Sequence, residues 1–223
     1  MTSANTTIGG ARPLAILIAV IGWAAVWLQF YLSLRLALAG GGTPGRALLM
    51  YFGYFTVLTN WLVCLAVTWP LLAPASAPGR FFVRPATIGW VTVSIAFVGI
   101  AYHLLLRRVW QPQGLQWLAN GLLHYATPTL FAIYSLMVLR GVRLRWTAPL
   151  WWSVYLVLYF VYALIRGALI GSYPYGFIDV SLLGYVNVLR NGCFLLVAFL
   201  LLGYVLTLVW RVGAKRDGPN GLS

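Results

Sequence analysis

The sequence predicts an all-α polytopic membrane protein with six transmembrane helices and both termini in the cytoplasm. Three observations carry that expectation. Of the 223 residues, 62% are apolar and 8% are charged, with only Asp179 and Asp217 acidic; a soluble domain spends about a quarter of its residues on charge. The apolar residues gather into six runs, each long enough to supply the roughly 20 helical residues that cross a hydrocarbon core. The 15 bases fall almost entirely in the gaps between runs, as Lys and Arg do in a multi-pass membrane protein. The same placement excludes the nucleic-acid partner that a net charge of +13 would otherwise suggest. Helix is required as well as indicated, because lipid offers nothing to the polar groups of an open strand edge.

The first run, Leu14 to Ala39, is 26 residues long and lacks an A-x-A pattern after it, so an uncleaved span is expected rather than a signal peptide. Gly-Gly-Gly-Thr-Pro-Gly at Gly40 to Gly45 ends it. The second run, Ala47 to Leu72, closes at the Ala73 to Gly79 breaker. The third is Ala86 to Leu106, followed by Gln-Pro-Gln-Gly at Gln111 to Gly114; the fourth is Leu115 to Leu139 and the fifth Leu150 to Ile170. The sixth, Val180 to Val209, is diluted at its start by Asn187, Arg190 and Asn191, with Asp179 just before it. Residues 1–213 therefore read as one six-helix membrane domain and 214–223 as a disordered cytoplasmic tail.

Orientation follows from the bases. With the N-terminus inside, Arg12, Arg80, Arg84, Arg140, Arg143, Arg145, Arg211, Lys215 and Arg216 lie inside, nine against the six of Arg35, Arg46, Arg107, Arg108, Arg166 and Arg190 outside. Trp69, Trp110, Trp117, Trp146, Trp151, Trp152 and Trp210 sit near run ends, where interfacial anchors belong. Cys64 and Cys193 lie within apolar runs and read as small buried hydrophobes without a disulfide. The two His, one Asp and two separated Cys make no metal-ligand spacing, and neither a phosphate loop nor a nucleophile-elbow serine is present. No metal or cofactor is expected.

Polar residues within the spans point to a site. Thr56, Thr59 and Asn60 share one face of the second span, Asn120, His124, Thr127 and Pro128 form a stripe on the fourth, and Asn187, Arg190 and Asn191 another on the sixth. His103 lies on the third span and Arg166 on the fifth. Antiparallel threading puts all of them in the outward half of the bilayer, with Thr56 and His124 both about 13 Å below the outer helix ends at 1.5 Å per residue. Ionisable groups in a span normally face the bundle interior or a wet cavity. Asp179 is the natural counter-ion for Arg166 or Arg190, either as a structural ion pair or in positioning a substrate. His124 is open to two readings: an interhelical hydrogen-bond partner, or the base that activates Thr56 as a nucleophile.

Tyr51-Phe-Gly-Tyr-Phe-Thr-Val-Leu-Thr-Asn-Trp61, Trp117-Leu-Ala-Asn-Gly-Leu-Leu-His-Tyr-Ala-Thr-Pro128 and Ser172-Tyr-Pro-Tyr-Gly-Phe-Ile-Asp179, in that order, resemble the androgen-induced protein family. That family includes the androgen-dependent TFPI-regulating protein and bacterial relatives. The resemblance covers the second to sixth spans. It implies a six-span hydrolase that cleaves fatty acid esters of hydroxy fatty acids, or similar lipid esters, with a threonine nucleophile and a histidine. By position these are Thr56, with Thr59 the competing choice, and His124; Asp179 takes the place of an acid after the Tyr-Pro-aromatic motif. The chain departs from the animal members in lacking further histidines near the fourth and fifth spans, and in Thr59-Asn60 standing in place of an acidic residue. On this reading the partners are membrane lipids and a lipid ester, and Asn60, Asn120 or Arg190 would steady the oxyanion. A bacterial cytoplasmic membrane is the expected location. Two rivals remain at this level: a transporter or lipid-binding and lipid-sensing protein built on Arg166, Arg190 and Asp179, and a haem protein ligated by His103 and His124.

Overall fold

A computed structural model describes residues 10–216. Among them there is helix and no strand. Six helices are long and apolar enough to cross a membrane: α1 (Arg12–Ala39), α3 (Phe55–Leu72), α5 (Pro85–Leu106), α6 (Leu115–Val138), α7 (Ala148–Ile170) and the 180–213 part of α8 (Val180–Arg216). Two short α-helices, α2 (Pro44–Tyr51) and α4 (Ala77–Phe82), and a 3-10 turn at Gly176–Ile178 lie between them. The chain is a multi-pass integral membrane protein.

α5 is the hub. It packs on α3, α6, α7 and α8, while α1 lies against α3 and α6, and α7 against α8. Val91, Val93 and Ile95 on α5 are fully buried. Phe55, at the start of α3, sits beside Phe97 of α5 and Tyr155 and Tyr159 of α7, with ring centroids at 6.3, 5.2 and 5.0 Å. Leu182, Val186, Phe194 and Leu201 on α8 are exposed, as suits a helix whose outer face meets acyl chains. Cys64 is buried as expected, but Cys193 is exposed on that same face; in a membrane an apolar run has no need to be inside the protein.

The second run departs from expectation. It is two helices, α2 and α3, separated at Phe52–Tyr54, where Tyr54 is extended (φ −91°, ψ 130°). Open backbone at membrane depth requires other partners, and α7 supplies them. Tyr159 Oη donates to Gly53 O at 2.9 Å, Tyr162 Oη to Phe52 O at 3.2 Å and Arg166 Nε to Leu49 O at 3.0 Å. Hydropathy cannot register such a break, since the residues across it remain apolar or aromatic.

α5 and α6 each contain one π-helical turn, Tyr102–Leu106 and Leu122–Ala126. The second lies just ahead of Pro128, which has no N–H to give and whose ring would collide with the carbonyl four residues back. Widening the turn relieves both problems. α8 is kinked at Gly184, where φ 72° and ψ 160° suit glycine alone. It also runs past the expected end at Val209 to Arg216; residues 214–216 of the expected tail are thus helical, and 217–223 lie outside the described residues.

Candidate active site

Thr56 is the second residue of α3. Helix N-termini leave their first amides without intrahelical acceptors, so the Thr56 backbone N–H is free to donate elsewhere, and it meets Tyr175 Oη at 3.4 Å. Thr56 Oγ1 lies 3.4 Å from that same phenol and 3.3 Å from His124 Nε2. Thr56 is 8% exposed and His124 half-buried. The two residues that share depth in the sequence therefore meet across α3 and α6.

The π turn fixes how the histidine is presented. His124 Nδ1 is 3.1 Å from Asn120 O. A carbonyl only accepts, so Nδ1 carries the proton of the neutral ring and Nε2 is left as the acceptor facing the Thr56 hydroxyl. Tyr102 stacks on the imidazole with centroids 4.0 Å apart and planes at 25°, which holds the ring's tilt. The Thr56 hydroxyl, the His124 imidazole and the Asn120 carbonyl thus stand in hydrogen-bonding succession, the arrangement in which a ring nitrogen can draw a proton from a hydroxyl.

The two asparagines brace this line. Asn60 Nδ2 donates to Thr56 O at 2.8 Å and to Leu123 O at 3.2 Å, tying α3 to the π turn. Asn120 Nδ2 donates to Tyr102 Oη at 2.7 Å and so anchors the stacking ring. Both Asn60 donors are thus spent inside the protein, while Asn120 has given one of its two and borders the larger cleft described below. Thr59 Oγ1 is wholly buried against Tyr155 Oη at 3.2 Å. It lines neither cavity described below, which leaves Thr56 as the accessible hydroxyl.

The charged cluster expected around Asp179 is not formed. The Asp179 carboxylate accepts from the amides of Ser181 at 2.9 Å and Leu182 at 3.3 Å, and from the Ser181 hydroxyl, capping α8. Arg166, 6% exposed, gives its donors to Leu49 O, to Ser172 O at 3.0 Å and to Met50 Sδ at 3.1 Å. Arg190 is exposed on α8. Carbonyls freed by the α2–α3 break and by the 172–179 loop replace the carboxylate that spacing suggested. Asn187 and Asn191 likewise bond to backbone, at Leu183 O and Phe177 O.

His103 has its own partners. It is exposed, accepting from Arg107 Nη1 at Nε2 (2.9 Å), with Tyr125 Oη 3.3 Å from Nδ1. His124 instead presents Nε2 to Thr56, so the two imidazoles have separate partners. Among the described residues no three His, Cys, Asp or Glu side chains converge.

Tyr175 was not singled out by sequence reasoning. It lies in the short loop between α7 and α8, stacked on Phe177 (5.1 Å, 6°) and edge-on to Tyr54 (5.6 Å). Desolvation raises its phenol above the ordinary value, so it remains a proton donor at neutral pH. The Tyr-Pro-Tyr-Gly-Phe segment is visible as a motif in the sequence; that its second tyrosine reaches back over Thr56 is a tertiary fact.

Two cavities meet at this cluster. One, about 220 Å³, is lined almost entirely by apolar side chains of α5, α7 and α8. The other, about 790 Å³, lies towards α1 and α2 and includes Gln29, Arg46, Gln116, Asn120 and His124 in its wall. Thr56 and Tyr175 border both. Comparison of the chain with protein-family models, with curated proteins and with solved structures gives no match.

Proposed function

We propose that the protein is an integral membrane hydrolase of lipid esters with Thr56 as nucleophile and His124 as general base, related to the androgen-induced protein family. The observation that carries the reading is the Thr56 hydroxyl 3.3 Å from an imidazole nitrogen whose tautomer the Asn120 carbonyl dictates, at the junction of two cavities. Spacing of 3.3 to 3.4 Å is long for a hydroxyl hydrogen bond, as free catalytic sites often are before substrate tightens them.

The steps are those of covalent acyl transfer. His124 Nε2 takes the Thr56 proton as Oγ1 adds to the ester carbonyl. The tetrahedral oxyanion is met by a donor already at the site, the Tyr175 phenol, backed by the positive N-terminal end of α3. Collapse breaks the ester C–O bond, and His124 returns its proton to the departing alcohol. Water then adds to the acyl-threonine, giving a proton to His124, which passes it to Thr56 Oγ1 as the fatty acid leaves.

A transporter or lipid-sensing protein built on Arg166, Arg190 and Asp179 needs the three together, whereas Arg166 is bonded to Leu49 O and Ser172 O, Asp179 caps α8 and Arg190 is exposed on that helix. The hydrolase reading has both termini cytoplasmic in a bacterial cytoplasmic membrane, so that the site faces outward, with membrane lipids and a lipid ester as its partners. A fluorophosphonate probe applied to purified protein tests it. Labelling at Thr56, lost in His124→Ala, is the expected result; folded protein that takes no label would overturn the assignment.

A further inference from the structure

The two cavities differ in a way that gives the substrate a direction. His124 is in the wall of the larger cleft and absent from the smaller pocket. In the reaction above, His124 must protonate the leaving alcohol and later deprotonate the incoming water, so both must occupy the side of Thr56 that His124 faces. That side is also the wetter one, bordered by Gln29, Arg46 and Gln116. The acyl chain is left with the other side, which offers it almost nothing polar.

Resting on the hydrolase reading, we infer that the pocket between α5, α7 and α8 seats the acyl chain, loaded sideways from the lipid, and that the alcohol portion and the hydrolytic water use the cleft beside His124. The pocket's floor is Phe97 and Val98, both buried. Three of its lining residues, Val157 on α7 and Leu189 and Cys193 on α8, are themselves exposed on the lipid-facing surface. The mouth is therefore towards the acyl chains of the bilayer. A dry apolar cavity of about 150 Å³ holds a six-carbon ring; by proportion, about 220 Å³ holds on the order of nine carbons. A longer chain continues out through the mouth into lipid, so selectivity rises with acyl length to about that point and then levels off.

Cys193 reports on the pocket directly, because Cys64 is buried and Cys193 is both exposed and in its wall. In detergent-purified full-length protein, N-ethylmaleimide should modify Cys193 at least fivefold more slowly when decanoic acid is present, in wild type and in Thr56→Ala alike, while butyric acid should protect less. Leu196→Trp, which fills the pocket, should lower the ratio of decanoyl to butyryl ester turnover at least tenfold. Gln116→Trp, in the cleft, should instead discriminate against esters of bulky alcohols. Protection of Cys193 in protein that hydrolyses nothing would keep the chain seat and remove the hydrolase. Turnover with no thiol protection and an unmoved chain-length ratio in Leu196→Trp would overturn the inference while leaving the hydrolase in place.

Discussion

Two buried polar stations at one end of the bundle have opposite characters. At Arg166 the guanidinium donates to Leu49 O, Ser172 O and Met50 Sδ at 3.0 to 3.1 Å, and the residue lines neither of the two cavities. At Thr56 the contacts to His124 and Tyr175 are 3.3 and 3.4 Å, and the hydroxyl borders both cavities. The first station is saturated and sealed, so it supports structure; the second has valence to spare and space beside it, which is what a reacting group requires. The stations are linked. Arg166 holds the end of α2, from which the chain turns directly into Thr56, and the start of the loop that carries Tyr175.

Substitution at the open station should abolish chemistry and spare the fold. Thr56→Ala or His124→Ala is expected to cut hydrolysis of an activated acyl ester by about 10³-fold or more, with the thermal unfolding midpoint in detergent moved little. Retained turnover in Thr56→Ala would erase the distinction between the stations. Tyr175→Phe sharpens it further. Loss of one preorganised donor costs about 10²-fold in kcat, and a steady-state assay should find that fall in kcat with KM nearly constant. An unchanged kcat would make the phenol a brace for the loop and place it with the Arg166 station.

The six spans were legible because hydropathy over 20 residues is a local sum, and lipid leaves helix as the outcome. Thr56 and His124 could be paired because antiparallel threading gives depth, and depth is a matter of counting residues. The breaks were less legible. Nothing in Phe52-Gly53-Tyr54 signals a stop; it is made by Tyr159, Tyr162 and Arg166, more than 100 positions away. Asp179 shows the converse error. As the single acid near the spans it invited pairing with an arginine, yet local geometry offered it two free amides at the start of α8, and carbonyls had already claimed Arg166. Tyr175 was hidden for the same reason, since which aromatic of a loop turns inward depends on the surface it meets.

The saturated station should fail by losing stability. Arg166→Leu strands the carbonyls of Leu49 and Ser172, at about 1 kcal/mol or more for each acceptor, so a loss of about 2 kcal/mol is expected in denaturant or thermal titration. Arg166→Lys should recover only part of it, because an ammonium cannot reproduce the planar fork that reaches three acceptors at once. Gly53→Ala should act on the same latch from the other side, since a Cβ there would stand 2.7 Å from Arg166 Cζ. Activity in these variants should fall with the folded fraction, a proportionality that parallel assays of label incorporation and unfolding can measure.

The smallest effect separates capping from charge pairing at Asp179. Asparagine caps a helix about as well as aspartate, whereas alanine costs about 1 kcal/mol. If the carboxylate serves the Ser181 and Leu182 amides, as its distances of 2.9 and 3.3 Å indicate, Asp179→Asn should be within about 0.5 kcal/mol of wild type and Asp179→Ala about 1 kcal/mol below it. A counter-ion behaves differently: its neutralisation by asparagine would leave a charge uncompensated and cost about as much as alanine, or more. Unfolding midpoints of the two variants measured side by side therefore decide the matter. Equal, large losses in both would restore the ion pair, with Arg166 or Arg190 as the partner of the carboxylate.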